Sequence, residues 1–292
     1  MSDSSHRDAA VVLASSTPHG QHLSRRAFLR LLAAGTVGVF AGNGIASVYR
    51  FVVEPIEVTL TGLRSPMRVA WLVDLHYGPF IKAGSVAAWV DATLALDPDL
   101  ILLGGDLVDH RAPDDVDSLL AELARLWAPL GVYGVWGNHE FSRYPNPRDL
   151  ERFRVALESA GVTMLVNRGV DVRADLHLVG LDVDRVGPRV LERAISERPI
   201  GSACLLATHK PDMLPRIPAH VDLTLMGHTH GGQVRLPGIG PVFSRTDLDL
   251  VGAAGWMRAP ALGYVSRGLG VVHVPVRVAC PAELTLATLM PA

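Results

Sequence analysis

"LMGHTHGGQV", residues 225–234, places His228 and His230 one residue apart between an apolar run and a pair of glycines. The run that leads into it, "VDLTLM" at 221–226, has the length and composition of a buried strand. Both imidazoles therefore fall in the turn beyond a strand's carboxyl end. Core histidines would usually lack a glycine before them and two after. Gly227, Gly231 and Gly232 permit tight backbone paths there, and the alternation lets the two rings address different partners.

Four more apolar runs end in the same kind of turn. Asp74 and His76 follow "VAWLV", Asp106 and Asp109 follow "LILLGG", Asn138 and His139 follow "GVYGVWG", and His209 follows "ACLLAT". In an open α/β sheet the carboxyl ends of the strands form the ligand crevice, so five such turns can converge. Singly each is ordinary, since an Asp after a strand is commonly a helix cap and an Asn-His pair suits any turn. Together they gather imidazoles, carboxylates and an amide. Burying so many polar groups costs on the order of several kcal/mol apiece unless something satisfies them, and cations are the simplest partner. A mixed His and carboxylate set without thiolate favours Mn, Fe or Zn over Ca or Mg. The ligands outnumber what one ion needs, which points to two divalent metal ions sharing a ligand.

Around these turns the chain alternates short apolar runs with helical stretches, and residues 55–292 read as one α/β domain without internal repeats. Strands are expected at 56–60, 67–73, 100–104, 132–136, 163–166, 176–181, 203–207, 221–226, 270–274 and 283–289. Helices are expected at Ser85–Leu96, Asp115–Trp127, Pro147–Ala160 and Pro188–Arg198, with Ser85, Asp115 and Asn146 as caps and with Trp89 and Trp127 on core-facing stripes. Tyr77 and Phe80 are placed to wall the cleft. His110, Lys210, Arg235 and Arg267 read as solvated surface side chains, with a role in holding the non-reacting oxygens of a phosphate left open.

The 292-residue chain is 49% hydrophobic, a composition that argues against disorder of the whole. Its formal charge is -2, and residues 1–50 carry +3, leaving -5 on the remainder. An acidic body does not grip nucleic acid by nonspecific charge, so no nucleic-acid partner is expected. Cys204 and Cys280 are far apart without CxxC spacing and read as two buried thiols, with a disulfide left open.

Residues 1–23 are polar and expected to be disordered. In residues 24–50, Arg25 and Arg26 stand ahead of Phe28, Leu29 and an uncharged run from Leu31 to Tyr49, a pattern that resembles a twin-arginine export signal. Export through the twin-arginine machinery and a membrane or extracytoplasmic location follow as expectations. The run is long enough to span a bilayer, and Gly44-Ile45-Ala46 could serve as a cleavage site, so anchored and cleaved forms both stay open.

"DLH", "GDLVD", "GNHE", "THKPD" and "GHTHGGQ", in that order, resemble the signature blocks of the calcineurin-like metallophosphoesterases. "VRLPGIGP", "YVSRGLG" and "CPAELTLATL" are similar to the exported, single-domain, YkuE-like bacterial branch, with Ala282 where that branch commonly has a second proline. The resemblance implies a four-layer α-β-β-α sandwich and a hydrolase of phosphate esters or pyrophosphates. It implies one metal ion on Asp74, His76, Asp106 and His230, and a second on Asp106, Asn138, His209 and His228, with a shared water as nucleophile. It also implies His139 as the general acid and Asp109 as the carboxylate that orients it. The reading from another class is a noncatalytic, metal-bound surface module that binds anionic wall polymer or lipid headgroups.

Overall fold

The computed structural model describes residues 44–183, 187–236, 238–242, 246 and 253–292. The expected tail at 1–23, and the expected export signal apart from 44–50, lie outside these residues. Phe51–Leu60 (β1), Met67–Leu72 (β2), Leu100–Leu103 (β3), Val132–Gly134 (β4), Val162–Met164 (β5) and the returning Ala282–Pro291 (β14) form one sheet, in the order β1-β14-β2-β3-β4-β5. Arg168–Arg173 (β6), Leu176–Leu181 (β7), Ala203–Thr208 (β8), Leu223–Met226 (β9), Gly255–Arg258 (β12) and Leu262–Val265 (β13) form a second, in the order β12-β13-β9-β8-β7-β6. Arg235–Leu236 (β10) and Gly240–Pro241 (β11) make a small separate pair. The central strands β2 to β5 run parallel, as do β7, β8, β9 and β13.

Alternation along the central strands builds the layers. In β2, Val69 and Trp71 enter one apolar cluster while Ala70 and Leu72 enter another, and β3 divides in the same way into Leu100 and Leu102 against Ile101 and Leu103. This is the two-residue period of strands buried on both faces. The cluster with Val69 and Trp71 also holds Leu178, Leu205 and Leu225 of the second sheet, so it fills the space between the sheets. On the far side of the first sheet lie helices Ala83–Ala95 (α1), Asp117–Leu123 (α2), the short Asn138–Arg143 (α3) and Pro147–Ser159 (α4). Trp89, Leu119 and Phe153 carry the contact. Pro188–Ser196 (α5) and the 3-10 turn Pro211–Arg216 cover the second sheet through Leu191, Ile195 and Leu214. The expected four layers, α-β-β-α, are the observed ones. Fully burying a Leu or Val side chain stabilises by about 1.5–3 kcal/mol, so the two-faced strands hold the strand tips firmly.

Several expected features shift. The first strand begins at Phe51 rather than at 56, because the whole of Phe51–Leu60 pairs with Ala282–Pro291. Ahead of it, Val48 is buried in the core, and the Gly44 carbonyl accepts the Arg277 N–H at 3.0 Å. Residues 270–274 are a loop. Their apolar Val271 and Val272 are buried, but the Gln233 side chain meets the backbone there, accepting from Val272 N at 2.7 Å and donating to Val272 O at 3.2 Å. Strands β6, β12 and β13 fall in stretches not expected to be strands. Among the caps, Asn146 accepts from Arg148 N as expected. Ser85 lies inside α1, whose N-cap is Lys82, and Asp115 sits one residue ahead of the N-cap Val116, bonded to Asp117 N. Trp89 is buried, whereas Trp127 lies beyond the end of α2 and is 69% exposed rather than core. Both cysteines are buried free thiols. Among the described residues no helix is long and apolar enough to cross a membrane.

Candidate metal centre

The turns after β2, β3, β4, β8 and β9 converge, and they bring Asp74, His76, Asp106, Asp109, His139, His209, His228 and His230 together, while Asn138 precedes His139 with its Oδ1 buried. Asp74, His76 and His230 offer ligand atoms within 4.8 Å of one another, and so do Asp106, His209 and His228. His76 Nε2 lies 3.0 Å from His230 Nε2, and His209 Nε2 lies 3.2 Å from His228 Nδ1. Asp106 Oδ2 stands between the two groups, 3.6 Å from His76 Nε2 and 3.1 Å from His209 Nε2. His139 comes in from the start of α3, its Nε2 4.0 Å from Asp106 Oδ2.

Each aspartate is held by one oxygen so that the other faces inward. Asp74 Oδ2 accepts the His228 N–H at 2.9 Å, leaving Oδ1 buried without a partner. Asp106 Oδ1 accepts the His139 N–H at 2.7 Å, leaving Oδ2 among the imidazoles. The chain bends sharply to do this. Asp74, His76, Asp106, His228 and His230 all have positive φ, between 49° and 72°. Such left-handed backbone costs a non-glycine residue of order 1–3 kcal/mol. These five are half of the ten non-glycine residues with positive φ among the described residues, and at them a glycine would relieve the strain and lose the ligand. Gly137 is needed for a different reason, since a Cβ there would lie 2.2 Å from Asp106 Oδ1.

The charges of the protein alone are arranged around one proton. Burial drives the Asp74 carboxyl up to about 7, with the Asp106 charge adding to the rise. Burial pulls His76 down to about 3 and holds His230 well below the usual imidazole range. It lowers His139 as well. His209 goes the other way: burial opposes its charge, but Asp106, followed by Asp74, raises it to about 9. Burial likewise opposes the Asp106 charge, yet His209 holds that carboxyl well below its ordinary value. A proton on His209 thus supplies the positive charge that these carboxylates require.

Three residues shape the site without having been singled out from sequence. Glu140, fully buried, accepts from the backbone N–H groups of Gly137 (2.8 Å), Asp106 (3.0 Å), Leu107 (2.6 Å) and Val108 (3.2 Å). It ties the turn after β3 to the turn after β4. Gln233 fastens the 272–276 loop. Arg277, 1% exposed, donates to the carbonyls of Arg267, Gly268, Gly270 and Cys280, with Nη2 3.5 Å from His230 Nδ1. A glutamate beside a ligand block was the only signal for Glu140; the roles of Gln233 and Arg277 depend on distant backbone. Of the side chains read as surface, Arg267 is instead paired with Glu54 and Glu283 at 2.6 and 2.8 Å. Tyr77 is buried, its backbone beside Val108.

The residues fit divalent cations. Asp74 Oδ1 and Asn138 Oδ1 are buried acceptors with no partner, and they join an N and O donor set of borderline softness. The calcineurin-like phosphoesterase profile matches residues 67–232, which include every one of these side chains. The chain belongs to that family. As a calcineurin-like phosphoesterase it is a metal-dependent hydrolase of phosphoester bonds. "Phosphodiesterase YaeI" of Escherichia coli is 31% identical over 296 aligned positions, covering 92% of this chain and 100% of its own. "Uncharacterized metallophosphoesterase YkuE" of Bacillus subtilis is 26% identical over 285, covering 91% and 98%. The solved structure of the Thermus thermophilus sulfate thiohydrolase SoxB aligns over 82% of this chain and 58% of its own, at 12% identity and a TM-score of 0.48.

Proposed function

We propose that this phosphoesterase holds two divalent cations, Mn, Fe or Zn, and hydrolyses phosphodiester or pyrophosphate bonds outside the cytoplasm. The observation that carries the binuclear reading is the position of Asp106 Oδ2 between His76 and His209, at 3.6 and 3.1 Å. Asp74, His76 and His230 would hold one ion, Asn138, His209 and His228 the other, and Asp106 both. Bound there, the cations supply Lewis-acid polarisation of the phosphoryl oxygens and a nucleophilic water at neutral pH.

The protein supplies position and protons. His209 donates Nδ1–H to the Gly104 carbonyl at 2.9 Å, which presents Nε2 to the site. His139 Nδ1 accepts the His110 N–H at 3.2 Å, which leaves the proton of the neutral ring on Nε2, facing Asp106. That N–H is placed to hydrogen-bond the departing oxygen. To act as general acid the ring must also carry a proton on Nδ1, so that it is left as neutral imidazole after the transfer, and Asp109 Oδ2, 3.9 Å from Nδ1, is the carboxylate near that atom. Asp74 and Asp106, each clamped by a backbone N–H, stay in place through the reaction. The twin-arginine pattern ahead of the uncharged run supports export through that machinery and attachment to membrane or wall, and the printed activity of the E. coli relative supports a diester.

The test is a substrate panel on the full chain loaded with Mn, Fe or Zn. It compares an aryl monoester, an aryl diester, nucleotide diphosphate sugars and phospholipids. Turnover of diester or pyrophosphate above monoester is expected; a monoester preference in all three metal forms overturns the substrate class.

A further inference from the structure

The chain enters the fold beside the metal centre. Residues 44–49 close the uncharged run from Leu31 to Tyr49, and they are built into the domain. Gly44 O accepts the Arg277 N–H at 3.0 Å, Ser47 Oγ donates to Arg277 O, and Val48 is buried in the core beneath the helices. A Cβ at Gly44 would lie 3.0 Å from the Val276 side chain, so the segments 44–49 and 274–278 pack in direct contact.

Both segments turn large apolar side chains to solvent. Ile45 is 47% exposed, Tyr49 56% and Val274 52%. Single exposed apolar residues are ordinary on a folded protein. Here three stand on two touching segments, at the point where a charge-free run of membrane-spanning length joins the domain. Cations flank them. Arg50, exposed, follows Tyr49 directly; Tyr49 Oη donates to Phe80 O at 3.5 Å, and the Arg111 guanidinium lies 5.3 Å from the centre of the Phe80 ring. Tyrosine among aliphatic side chains, with arginine at the edge, suits the boundary between acyl chains and anionic headgroups.

This face adjoins the metal centre on two sides. Arg111 Nε donates to Asp109 Oδ1 at 3.0 Å, and Arg277, whose N–H holds Gly44, brings Nη2 to 3.5 Å from His230 Nδ1. The run that leads into Gly44 decides what meets the face. A stretch able to span a bilayer, leaving the domain here, brings lipid against Ile45, Tyr49 and Val274. The packing favours the anchored form, since cleavage after Ala46 would take the Gly44 carbonyl from the Arg277 N–H.

We propose that the face carrying Ile45, Tyr49 and Val274 docks on a lipid bilayer and holds the metal centre at the membrane surface. Such docking presupposes the membrane attachment proposed above and adds to it the face that meets the lipid.

The test follows an environment-sensitive dye on the full chain as vesicles of equimolar phosphatidylcholine and phosphatidylglycerol are added. The dye is carried by Val274→Cys, by Ile45→Cys or, as control, by Ile200→Cys, an exposed position ahead of β8 at the end away from the metal centre. Cys204 and Cys280 are buried and stay unlabelled in the folded protein. Emission from the first two is expected to shift to the blue with lipid and that from the control to stay unchanged. Chain that floats with the vesicles while neither of the first two shifts overturns the proposal, as does an equal shift at the control. A dye already shifted before lipid is added would assign the face to the chain's own preceding segment. A shift that grows with protein concentration at fixed lipid would assign it to a second copy, and either result overturns the docking. Full chain that does not float with vesicles would defeat the underlying membrane attachment instead.

Discussion

The backbone N–H of His139 donates to Asp106 Oδ1 at 2.7 Å, so the residue proposed as acid grips the proposed bridging carboxylate through its main chain and leaves its ring free. The two roles of this residue are therefore separable. In His139→Ala the clamp on Asp106 remains, and metal content measured by elemental analysis stays at the wild-type level. Turnover falls about 10²–10⁴-fold, the usual worth of a positioned acid. Loss of metal together with turnover would show that the ring, not the backbone, holds the site.

Glu140, itself fully buried, accepts four backbone N–H groups from two turns. Removing a partner from a buried donor costs about 1–3 kcal/mol, and these donors cannot all find another. Glu140→Ala is expected to destabilise the protein by about 2–5 kcal/mol and to lower metal retention, read by denaturant unfolding and elemental analysis. Stability within about 0.5 kcal/mol of wild type would mean that the turns are held by other contacts.

His209, raised to about 9 by its carboxylate neighbours against the pull of burial, binds a proton more tightly in the folded metal-free protein than in the unfolded chain. Its contribution to stability is fully present below about 6.5 and is lost as pH rises through about 9. Asp74 and Glu140, each raised to about 7, act in the same direction at lower pH. Metal-free protein should therefore lose stability from pH 7 to 9. A cation must displace the His209 proton, so metal uptake at pH 7.5 should release protons, and affinity should fall as pH drops below about 6. Calorimetric titration in buffers of different ionisation enthalpy reads the release directly; uptake with no proton released would contradict the charge state of His209.

Much of this site was legible because its chemistry is local in sequence. An apolar run followed by Asp-x-His, Gly-Asp or Gly-Asn-His fixes both the strand and the tip, and β7 matches its expected span of 176–181 to the residue. What stayed hidden depends on partners far along the chain. The run at 270–274 has strand composition, but Gln233, some forty residues earlier, satisfies its backbone and lets it remain a loop. Trp127 fits a helical stripe in sequence, yet α2 stops at Leu123 and the stripe stops with it. The half-buried, charged Arg168–Arg173 carries no clean alternation and becomes β6 only because β7 lies beside it. Arg277 reads as an ordinary cation until the fold wraps four carbonyls around it.

The most direct test is the metal content of the full chain, purified, stripped and reconstituted with zinc or manganese, beside Asp106→Ala. Two equivalents per wild-type chain, with the variant retaining no more than one while still folded, is the expected result. Fewer than one equivalent in well-folded wild type, or two retained in the variant, would contradict a pair of cations bridged by Asp106.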